Sequence, residues 1–284
     1  MRRCPVRRAE QLPVKYPRTV RVAVVGHVEW VDFIAVPRLP HEGEVLHAKE
    51  AFTRAAGGGG VAAVVLAELG AEVDFFCALG QDADGAAAAQ QLLDRGVRVH
   101  AAWRSQPTRR AVTLLEQGER TIVTIGERLE PVASDALDWE ILAQARGVYF
   151  TAGDAGALRE ARRAGVLVAT PRACQALEAG PPPGVDALVY SGHDHDEADW
   201  ARRLAGRARV LVETRGDEGG IWFGAEQGSW PAVPAPGRPR DSYGCGDSFA
   251  AGFTFGLAQG RSVAEAAGIG AERGARCLVR VGAP

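Results

Sequence analysis

Short apolar runs alternate with helical stretches along most of the chain, and this alternation limits the possible folds more than any other feature. Residues 20–26 form a continuous apolar run of the kind found in strands buried on both faces. Further strands are predicted at residues 73–79, 148–152, 165–170, 187–191 and 209–213, with helices at 60–69, 84–95, 154–163, 197–205, 246–259 and 262–279. Strands separated by helices form parallel sheets, so we expect an α/β fold: a mostly parallel central sheet with helices on both faces.

Two segments interrupt this alternation. Residues 32–52 contain Pro37, Pro40 and Gly43 and show no helical period, and residues 97–126 contain three β-rich pieces at 97–103, 110–116 and 120–125. We expect both to be insertions in one domain of residues 20–284, where they form a small β-sheet that covers a site as a lid. The alternative is that they are edge strands of the main sheet. Residues 1–19 are predicted to be a flexible polar arm.

The composition excludes several functional classes. A formal net charge of −2 gives no basic field for nucleic acid or an anionic membrane, and no apolar run approaches the roughly 18 residues of a membrane span. The five cysteines include no C-x-x-C pair, so neither a zinc site nor a secreted disulfide framework is expected. The basic residues among the first nineteen are not followed by the apolar h-region of a signal peptide, which predicts a cytoplasmic location.

Two common nucleotide-binding patterns are missing from the sequence. Neither of the two lysines, Lys15 and Lys49, stands in a G-x-x-x-x-G-K-[ST] loop, so any phosphate must be bound in another way. The first strand runs into Gly26 and His27 without the G-x-G-x-x-G that carries a pyrophosphate. A dinucleotide-dependent dehydrogenase is therefore excluded.

The most informative local pattern is the turn at residues 241–252, DSYGCGDSFAAG, which leads directly into a long apolar helix. Gly244 and Gly246 let the backbone pass close to a ligand, and their N–H groups together with the start of the helix form a site for a phosphate-like anion. Asp247 stands at the start of the same helix. A carboxylate there is either a simple helix cap or a catalytic group.

This turn resembles the signature D-[ST]-x-G-A-G-D-x-F-x-x-G of the ribokinase-like (PfkB) family of carbohydrate kinases. The sequence matches it at Asp241, Ser242, Gly244, Gly246, Asp247, Phe249 and Gly252, and departs from it at Cys245, where the family usually has alanine. Four other segments are similar to family motifs in the family's order: the lid entry at 39–44, the glycine-rich turn and helix at 57–70, the continuation at 76–85 and the nucleotide loop at 214–220.

The resemblance implies a ribokinase-like fold and an ATP-dependent kinase that phosphorylates a hydroxyl of a sugar or sugar-like molecule. Asp247 would be the base, and Gly244, Cys245 and Gly246 would complete an anion hole, with Cys245 as a small filler and not a nucleophile. ATP would be bound with Mg²⁺, and a monovalent cation such as K⁺ could lie beside the phosphate turn. The nucleotide side would be formed by Thr214, Gly216, Gly219, Asp241 and Ser242. As in several relatives, the lid could pair two subunits into a homodimer.

The sequence departs from the family at the metal motif, usually N-x-x-E. Ser191 and Asp194 stand at the asparagine and glutamate positions, so Asp194 is the candidate metal ligand. The run from His193 to Asp196 also allows a transition-metal site, with a solvated helix start as the alternative reading.

At the acceptor end, the family's G-x-x-N-x-D pattern has become Gly26 to Asp32, with Glu29 at the asparagine position and Asp32 one residue late. In a regular strand this shift turns Asp32 to the other face unless a bulge corrects it. The candidate acceptor-binding residues are Glu29, Asp32, Gly57, Gly58 and Gly59. Trp30 and Trp103 are candidates either for stacking on a ring or for core packing. The acceptor is therefore not expected to be ribose bound in the usual way.

Two alternatives to a sugar kinase stay open: a nucleoside kinase of the same fold, and a non-catalytic member that binds a sugar or nucleotide. The divergent acceptor and metal motifs favour the second alternative, whereas the intact turn at Asp247 argues against it.

Overall fold

The computed structural model describes residues 20–116, 118–180, 184–225, 227–282 and 284; the predicted arm at residues 1–19 lies outside this range. The strands are β1 (Arg21–Val25), β2 (Glu29–Ala35), β3 (Glu50–Ala56), β4 (Glu72–Gly80), β5 (Val97–Arg104), β6 (Arg110–Glu116), β7 (Glu119–Ile125), β8 (Gly147–Phe150), β9 (Leu167–Ala169), β10 (Val185–Ser191), β11 (Ala208–Thr214), β12 (Gly220–Gly224) and β13 (Gly228–Trp230). The helices are α1 (Gly57–Glu68), α2 (Ala83–Asp94), α3 (Ala155–Ala161), α4 (Cys174–Ala179), α5 (His195–Arg203), α6 (Cys245–Ala258) and α7 (Val263–Cys277).

The main element is a nine-stranded sheet in the order β13-β12-β11-β10-β9-β8-β1-β4-β5. The pairs from β11 through β5 are parallel, and β12 and β13 add an antiparallel hairpin at one edge. One hydrophobic core includes residues of α1, α2, α6 and α7, and a second core on the opposite face includes residues of α3, α4 and α5. The predicted α/β fold, with a mostly parallel sheet covered by helices on both faces, is confirmed.

A separate four-stranded sheet, here called the small sheet, has the order β3-β2-β6-β7. The small sheet differs from the predicted lid because it lacks one of the expected strands. The β-rich piece predicted at 97–103 forms β5, which pairs in parallel with β4 at the edge of the large sheet. The reason is its connection, since α2 returns the chain to the sheet as a β-α-β crossover. The alternative of an edge strand thus holds for β5, and the small sheet is built from β2, β3, β6 and β7.

The strand order also fixes where a ligand can bind. From β1 the chain adds β4 and β5 on one side and β8 to β11 on the other, so the direction of winding reverses between β1 and β8. In open parallel sheets such a reversal opens a crevice at the carboxyl ends of the strands, and ligands bind there. His27 follows β1 and Thr151 follows β8 at this crevice.

Among the described residues, no helix is long and apolar enough to cross a bilayer.

Candidate functional site

The start of α6 forms the floor of a large cleft. The cleft has a volume of about 1010 Å³, and Gly244, Cys245, Gly246 and Asp247 line it together with Thr214 and Gly216. Gly244 precedes the helix with a φ of 73°, a left-handed conformation that glycine adopts without strain. The first amides of a helix have no partner within it, so the turn presents N–H donors and the positive end of the helix to the cleft.

Asp247 is buried, with 7% of its surface exposed, and two side chains form hydrogen bonds with its carboxylate. The Tyr149 hydroxyl donates to Oδ1 at 3.2 Å, and the guanidinium of Arg172 donates to both carboxylate oxygens. Arg172 Nε lies 3.7 Å from Oε1 of Glu197, which completes a chain of alternating charges along the cleft wall. A buried carboxylate is thus kept paired beside the phosphate-binding turn.

Sequence reasoning missed Tyr149, Arg172 and Glu197. Tyr149 is on β8, Arg172 is in the short 3₁₀ helix Pro171–Ala173 that follows β9, and Glu197 is in the first turn of α5. These elements meet only because β8, β9 and β10 are neighbours in the sheet. A weak signal existed for Arg172, since proline after a strand marks a helix start at a strand end.

Burial and the neighbouring charges shift the pKa values of Tyr149, Arg172 and Glu197. Burial raises the pKa of Tyr149, and the negative charge of Asp247 raises it further, so the phenol stays protonated as a donor. Burial alone would lower the pKa of Arg172, but the neighbouring acidic groups, Asp247 first, hold it well above its ordinary value. Burial also raises the pKa of Glu197, against the opposing charge of Arg172.

The other end of the site is formed by the start of α1. A Cβ placed on Gly58 would lie 3.0 Å from Asp247 Oδ1, 3.0 Å from Thr151 Oγ1 and 3.3 Å from His27 Cε1. A Cβ on Gly57 would lie 3.2 Å from the Cγ of Glu29. The absence of side chains on these glycines therefore brings the backbone of α1 against Asp247, Glu29 and His27, and acceptor binding by Gly57 and Gly58 stays a prediction.

Gly59 has a packing reason of its own. Its Cβ would lie 2.7 Å from the His27 carbonyl oxygen and 2.8 Å from the ring of Phe75, and its amide donates to the same carbonyl at 3.1 Å. Only a glycine fits where α1 crosses the end of β1.

His27 and Glu29 are buried at this end of the site. Burial lowers the pKa of His27 well below its ordinary value, with additional effects from Arg128, Arg172 and Arg109. Burial raises the pKa of Glu29, and the charge of Arg109 opposes that rise; Arg109 Nε lies 3.2 Å from Glu29 Oε1. The imidazole is therefore neutral, and the carboxylate is held against a guanidinium.

Asp32 does not join this group. Strand β2 pairs with β3 in an unbroken register from Glu29↔Ala56 to Ala35↔Glu50, so no bulge corrects the shifted position. Alternate residues of a strand face opposite sides, and Asp32 accordingly bonds to Thr53 at 2.8 Å and to Arg110 at 2.7 Å. The prediction that Asp32 contacts the acceptor is corrected: its carboxylate is used within the small sheet.

At the predicted nucleotide end, Thr214 ends β11 and Gly216 follows it with a φ of 55°. Both line the cleft. Gly219 does not line it: its φ is 85°, and a Cβ there would lie 2.1 Å from the Trp230 carbonyl oxygen. Gly219 is required by the turn that starts the β12–β13 hairpin.

Asp241 and Ser242 stand just before the phosphate turn. Asp241 is buried, and its carboxylate accepts the amide of Tyr243 at 2.8 Å and that of Gly282 at 2.6 Å. Burial raises the pKa of Asp241, against these two hydrogen bonds. Ser242 lines the cleft and accepts a hydrogen bond from Arg120. Asp241 thus fixes the turn to the C-terminal segment.

The tip of the small sheet touches the same loop. Gly118, at the turn between β6 and β7, forms an isolated parallel bridge with Asp241, and Arg120 of β7 reaches Ser242. Arg120 also lines the cleft, so the small sheet supplies a positive charge near the phosphate turn.

Asp194, the candidate metal ligand, caps α5. Its Oδ1 accepts the amides of Asp196 at 3.0 Å and Glu197 at 3.1 Å, and its side chain lines the cleft. Within the described ranges, no group of three or more His, Cys, Asp or Glu residues is placed to hold a metal ion, so the transition-metal reading of residues 193–196 has no support.

Cys245 opens α6 beside Cys277 of α7. A hydrogen bond with the Cys277 thiol raises the pKa of Cys245, and burial raises it further. The Cys277 thiol also donates to the Tyr243 carbonyl at 3.0 Å. A thiol with a raised pKa is a poor nucleophile, in keeping with the predicted role of Cys245 as a small filler.

Comparisons with known proteins bear on the family and the fold of the chain. The model of the pfkB family of carbohydrate kinases matches residues 20–177 and 186–283. Among curated proteins, the chain is 36% identical to a cytidine kinase of Thermococcus kodakarensis over 99 residues, which are 34% of this chain and 35% of that protein. It is 34% identical to a ribokinase of Arabidopsis thaliana over 110 residues, 37% of this chain and 29% of that protein. The chain thus matches about a third of the length of these curated relatives.

Among solved structures, the Arabidopsis thaliana ribokinase complexed with ribose and ATP has a TM-score of 0.74 and 23% identity, and the match covers 94% of this chain and 95% of that one. At this identity the similarity shows the fold: a ribokinase-type large sheet with a separate small sheet.

Proposed function

The chain belongs to the pfkB family of carbohydrate kinases, and from that membership we propose that it is an ATP-dependent kinase. It transfers the γ-phosphoryl group to a hydroxyl of a sugar or sugar-like small molecule. The observation that carries the proposal is the position of Asp247: a buried carboxylate at the start of α6, in one cleft with Thr214 and Gly216.

In this proposal Asp247 accepts the proton of the attacking hydroxyl. Gly58 has no side chain, so the backbone of α1 lies beside Asp247 Oδ1 without pressing on the carboxylate. Tyr149 and Arg172 hold the carboxylate in place by hydrogen bonds. A base must lie within hydrogen-bond reach of the proton that it takes, so the proposal requires the acceptor hydroxyl to bind beside this carboxylate.

The turn formed by Gly244, Cys245, Gly246 and Asp247 is the proposed anion hole. Its amides, together with the N-terminus of α6, stabilise the charge on the transferred phosphoryl group. Preorganised donors supply much of the catalysis in phosphoryl transfer, so a P-loop lysine is not required.

The nucleotide is proposed to bind along the cleft at Thr214 and Gly216, with Ser242 beside its phosphates. Mg²⁺ is usually held by one or two carboxylates plus the phosphates of the substrate, which fits a cleft without a ligand cluster. Asp194, Asp196 and Glu197 are the carboxylates that line the cleft at the start of α5, and Asp194 is the proposed metal ligand. When bound, Mg²⁺ neutralises charge on the phosphate oxygens. A K⁺ requirement stays a prediction. Both carboxylate oxygens of Asp241, beside which the cation was expected, accept hydrogen bonds from backbone amides.

A homodimer through the small sheet is also proposed. Strand β7 is at the edge of that sheet, and Ile122, Val123 and Ile125 are 41%, 57% and 51% exposed on it. An exposed apolar edge strand tends to pair with another strand, and the matching β7 of a second copy is such a strand.

A nucleoside acceptor is the second candidate. The observation that favours it is the similarity to a cytidine kinase within the matched third of that protein. A non-catalytic binding member is the third candidate, but it gives no reason for a buried, hydrogen-bonded carboxylate beside the anion hole.

The proposed function is tested with Asp247→Asn. ADP release is measured with ATP, Mg²⁺ and a panel of sugars, polyols, sugar acids and nucleosides. We expect the variant to fold with a lower melting temperature, because the buried Arg172 loses its charged partner, and to lose roughly 10²- to 10⁴-fold in acceptor-dependent turnover, the usual range for a general base. Asp154→Asn is the matched control, because Asp154 caps α3 outside the cleft. Turnover unchanged in Asp247→Asn would overturn the role of this residue, and no acceptor-dependent turnover by the wild type would favour the non-catalytic alternative.

A further inference from the structure

The tip of the small sheet is attached to the loop that leads into the phosphate turn. Gly118, between β6 and β7, forms a backbone bridge with Asp241, and Arg120 of β7 donates to the hydroxyl of Ser242. Arg120 stands opposite Leu115 in the β6–β7 pair, and Leu115 is buried in the hydrophobic core. Opposite residues of an antiparallel pair share a face, so Arg120 lies on the inner face of the small sheet.

Arg120 carries a charge that no neighbouring acid neutralises. In the part of the chain that the structure describes, it forms no ion pair, and the hydroxyl of Ser242 that it contacts is neutral. Both carboxylate oxygens of Asp241 already accept backbone amides. Arg172, the other arginine that lines the cleft, differs because it donates to Asp247. The guanidinium of Arg120 is therefore available to bind an anion.

The cleft connects this guanidinium with the proposed anion hole. Arg120 and Ser242 line the same cleft as the turn at residues 244–247. Burial raises the pKa of Tyr243, and a hydrogen bond with Cys277 raises the pKa of Cys245, whereas the charge of Arg120 opposes both rises. Because Tyr243 and Cys245 stand on either side of Gly244, the positive charge of Arg120 acts directly at the turn.

The other charges of the cleft explain why such a group is needed. The carboxylates that line the cleft are those of Asp194, Asp196, Glu197 and Asp247. These carboxylates repel a polyphosphate, and a nearby positive charge offsets that repulsion. A guanidinium suits the task because its N–H groups form two parallel hydrogen bonds with phosphate oxygens.

We propose that Arg120 is a further catalytic residue, whose guanidinium binds the γ-phosphoryl group while it is transferred. This inference rests on the proposed function. The acceptor oxygen forms a bond to the γ-phosphorus of ATP, the bond from that phosphorus to the β–γ bridging oxygen breaks, and the acceptor proton passes to Asp247. The products are ADP and a phosphate monoester. Arg120 stabilises charge on the non-bridging oxygens, so the small sheet takes part in the chemistry.

Nucleotide binding tests the contact without any acceptor. Calorimetry with Mg²⁺ compares ADP with AMP-PNP, an unreactive ATP analogue that has a γ-phosphoryl group. We expect Arg120→Gln to bind AMP-PNP about tenfold more weakly than the wild type does, because a hydrogen bond to a charged group is lost. Affinity for ADP should be unchanged, since ADP lacks the group that Arg120 contacts.

Turnover with the acceptor panel described above tests the catalytic role. We expect Arg120→Gln to lower kcat roughly 10²- to 10³-fold, the range for loss of one preorganised donor, with the KM for the acceptor nearly unchanged. Arg120→Lys keeps the charge but loses the paired donors, so it should restore part of kcat. Arg110→Gln is the matched control: Arg110 is in β6 of the same sheet, but its partner is Asp32.

The outcomes separate this inference from the proposed function. If the wild type phosphorylates no acceptor, the proposed function fails, and the comparison of AMP-PNP with ADP still decides whether Arg120 contacts the γ-phosphoryl group. Equal weakening of both nucleotides by Arg120→Gln, or weakening of neither, overturns the inference. Weaker binding of AMP-PNP with an unchanged kcat also overturns it, because a catalytic contact must be stronger in the transition state than in the ground state.

Discussion

At the scale of single residues, the site depends on where side chains are missing. Gly58 faces Asp247 and Thr151, and a methyl group there would press on both side chains. Gly57 similarly faces Glu29 and His27. The glycine run therefore shapes the acceptor end, in addition to starting a helix.

Gly58→Ala is expected to impair catalysis without loss of stability. Its Cβ would lie 3.0 Å from both Asp247 Oδ1 and Thr151 Oγ1, closer than ordinary contact, so we expect the Asp247 carboxylate, and with it an acceptor bound beside that carboxylate, to be displaced. A misplacement of this kind can cost about 10²-fold, and we expect kcat/KM for the acceptor to fall by roughly that factor. Gly268→Ala in α7, where a Cβ meets nothing within 4 Å, is the control. Full activity in Gly58→Ala would show that the acceptor lies elsewhere.

The sequence allowed the phosphate turn to be predicted, but not the partners of its carboxylate. Gly244, Gly246 and Asp247 stand in one contiguous motif whose local chemistry can be read directly. Arg172 and Glu197 are on elements that become neighbours only through the strand order of the large sheet. No local pattern encodes that proximity.

At the scale of elements, helix termini carry much of the site. The starts of α1, α5 and α6 all lie at the carboxyl edge of the large sheet, where the first amides of each helix face the crevice. Helix α1 begins three residues earlier than expected, because its glycines disfavour a helix in isolation but allow close packing against β1. Strands β12 and β13 were not predicted, since each is short and contains glycine.

Substitutions of Asp194, at the start of α5, can separate its helix-capping role from its proposed role in binding the metal. Asparagine caps a helix as well as aspartate does, but it lacks the charge. We expect Asp194→Asn to keep the melting temperature and to raise the Mg²⁺ concentration for half-maximal activity about tenfold, as for groups that orient a metal or its waters. Asp194→Ala should in addition lose about 1 kcal/mol of stability. If Asp194→Asn has the same Mg²⁺ requirement as the wild type, Asp194 serves only as a helix cap and does not bind the metal.

At the scale of the whole molecule, a buried charge joins three strands of the large sheet. Asp74 of β4 accepts hydrogen bonds from Arg98 at 2.7 and 2.8 Å and lies 2.9 Å from His100, both on β5, and Arg21 of β1 lies 3.6 Å away. Burial alone would raise the pKa of Asp74, but the hydrogen bonds from Arg98 and His100 hold it well below its ordinary value. The native fold therefore binds a proton at Asp74 less readily than the unfolded chain does.

Because the folded pKa of Asp74 is lowered, its contribution to stability is present above the unfolded pKa of about 3.9 and is lost as the pH falls. We expect Asp74→Asn to be about 2 kcal/mol less stable than the wild type at neutral pH, with a difference that narrows below about pH 4. Urea denaturation at several pH values measures this. Glu72→Gln, at an exposed pair 3.8 Å from Arg98, should change stability by less than about 0.5 kcal/mol. If the difference in the free energy of unfolding between Asp74→Asn and the wild type is the same at every pH, this interpretation is wrong.

The pairing of Arg172 with Asp247 has a consequence for the kinase when no acceptor is bound. The guanidinium occupies the lone pairs through which the carboxylate would otherwise activate a water molecule. In the proposed kinase, ATP bound alone thus meets a base that is already engaged, and hydrolysis is suppressed until an incoming alcohol competes for that carboxylate. The same ion pair that holds the base in place would then protect the cell's ATP from futile turnover.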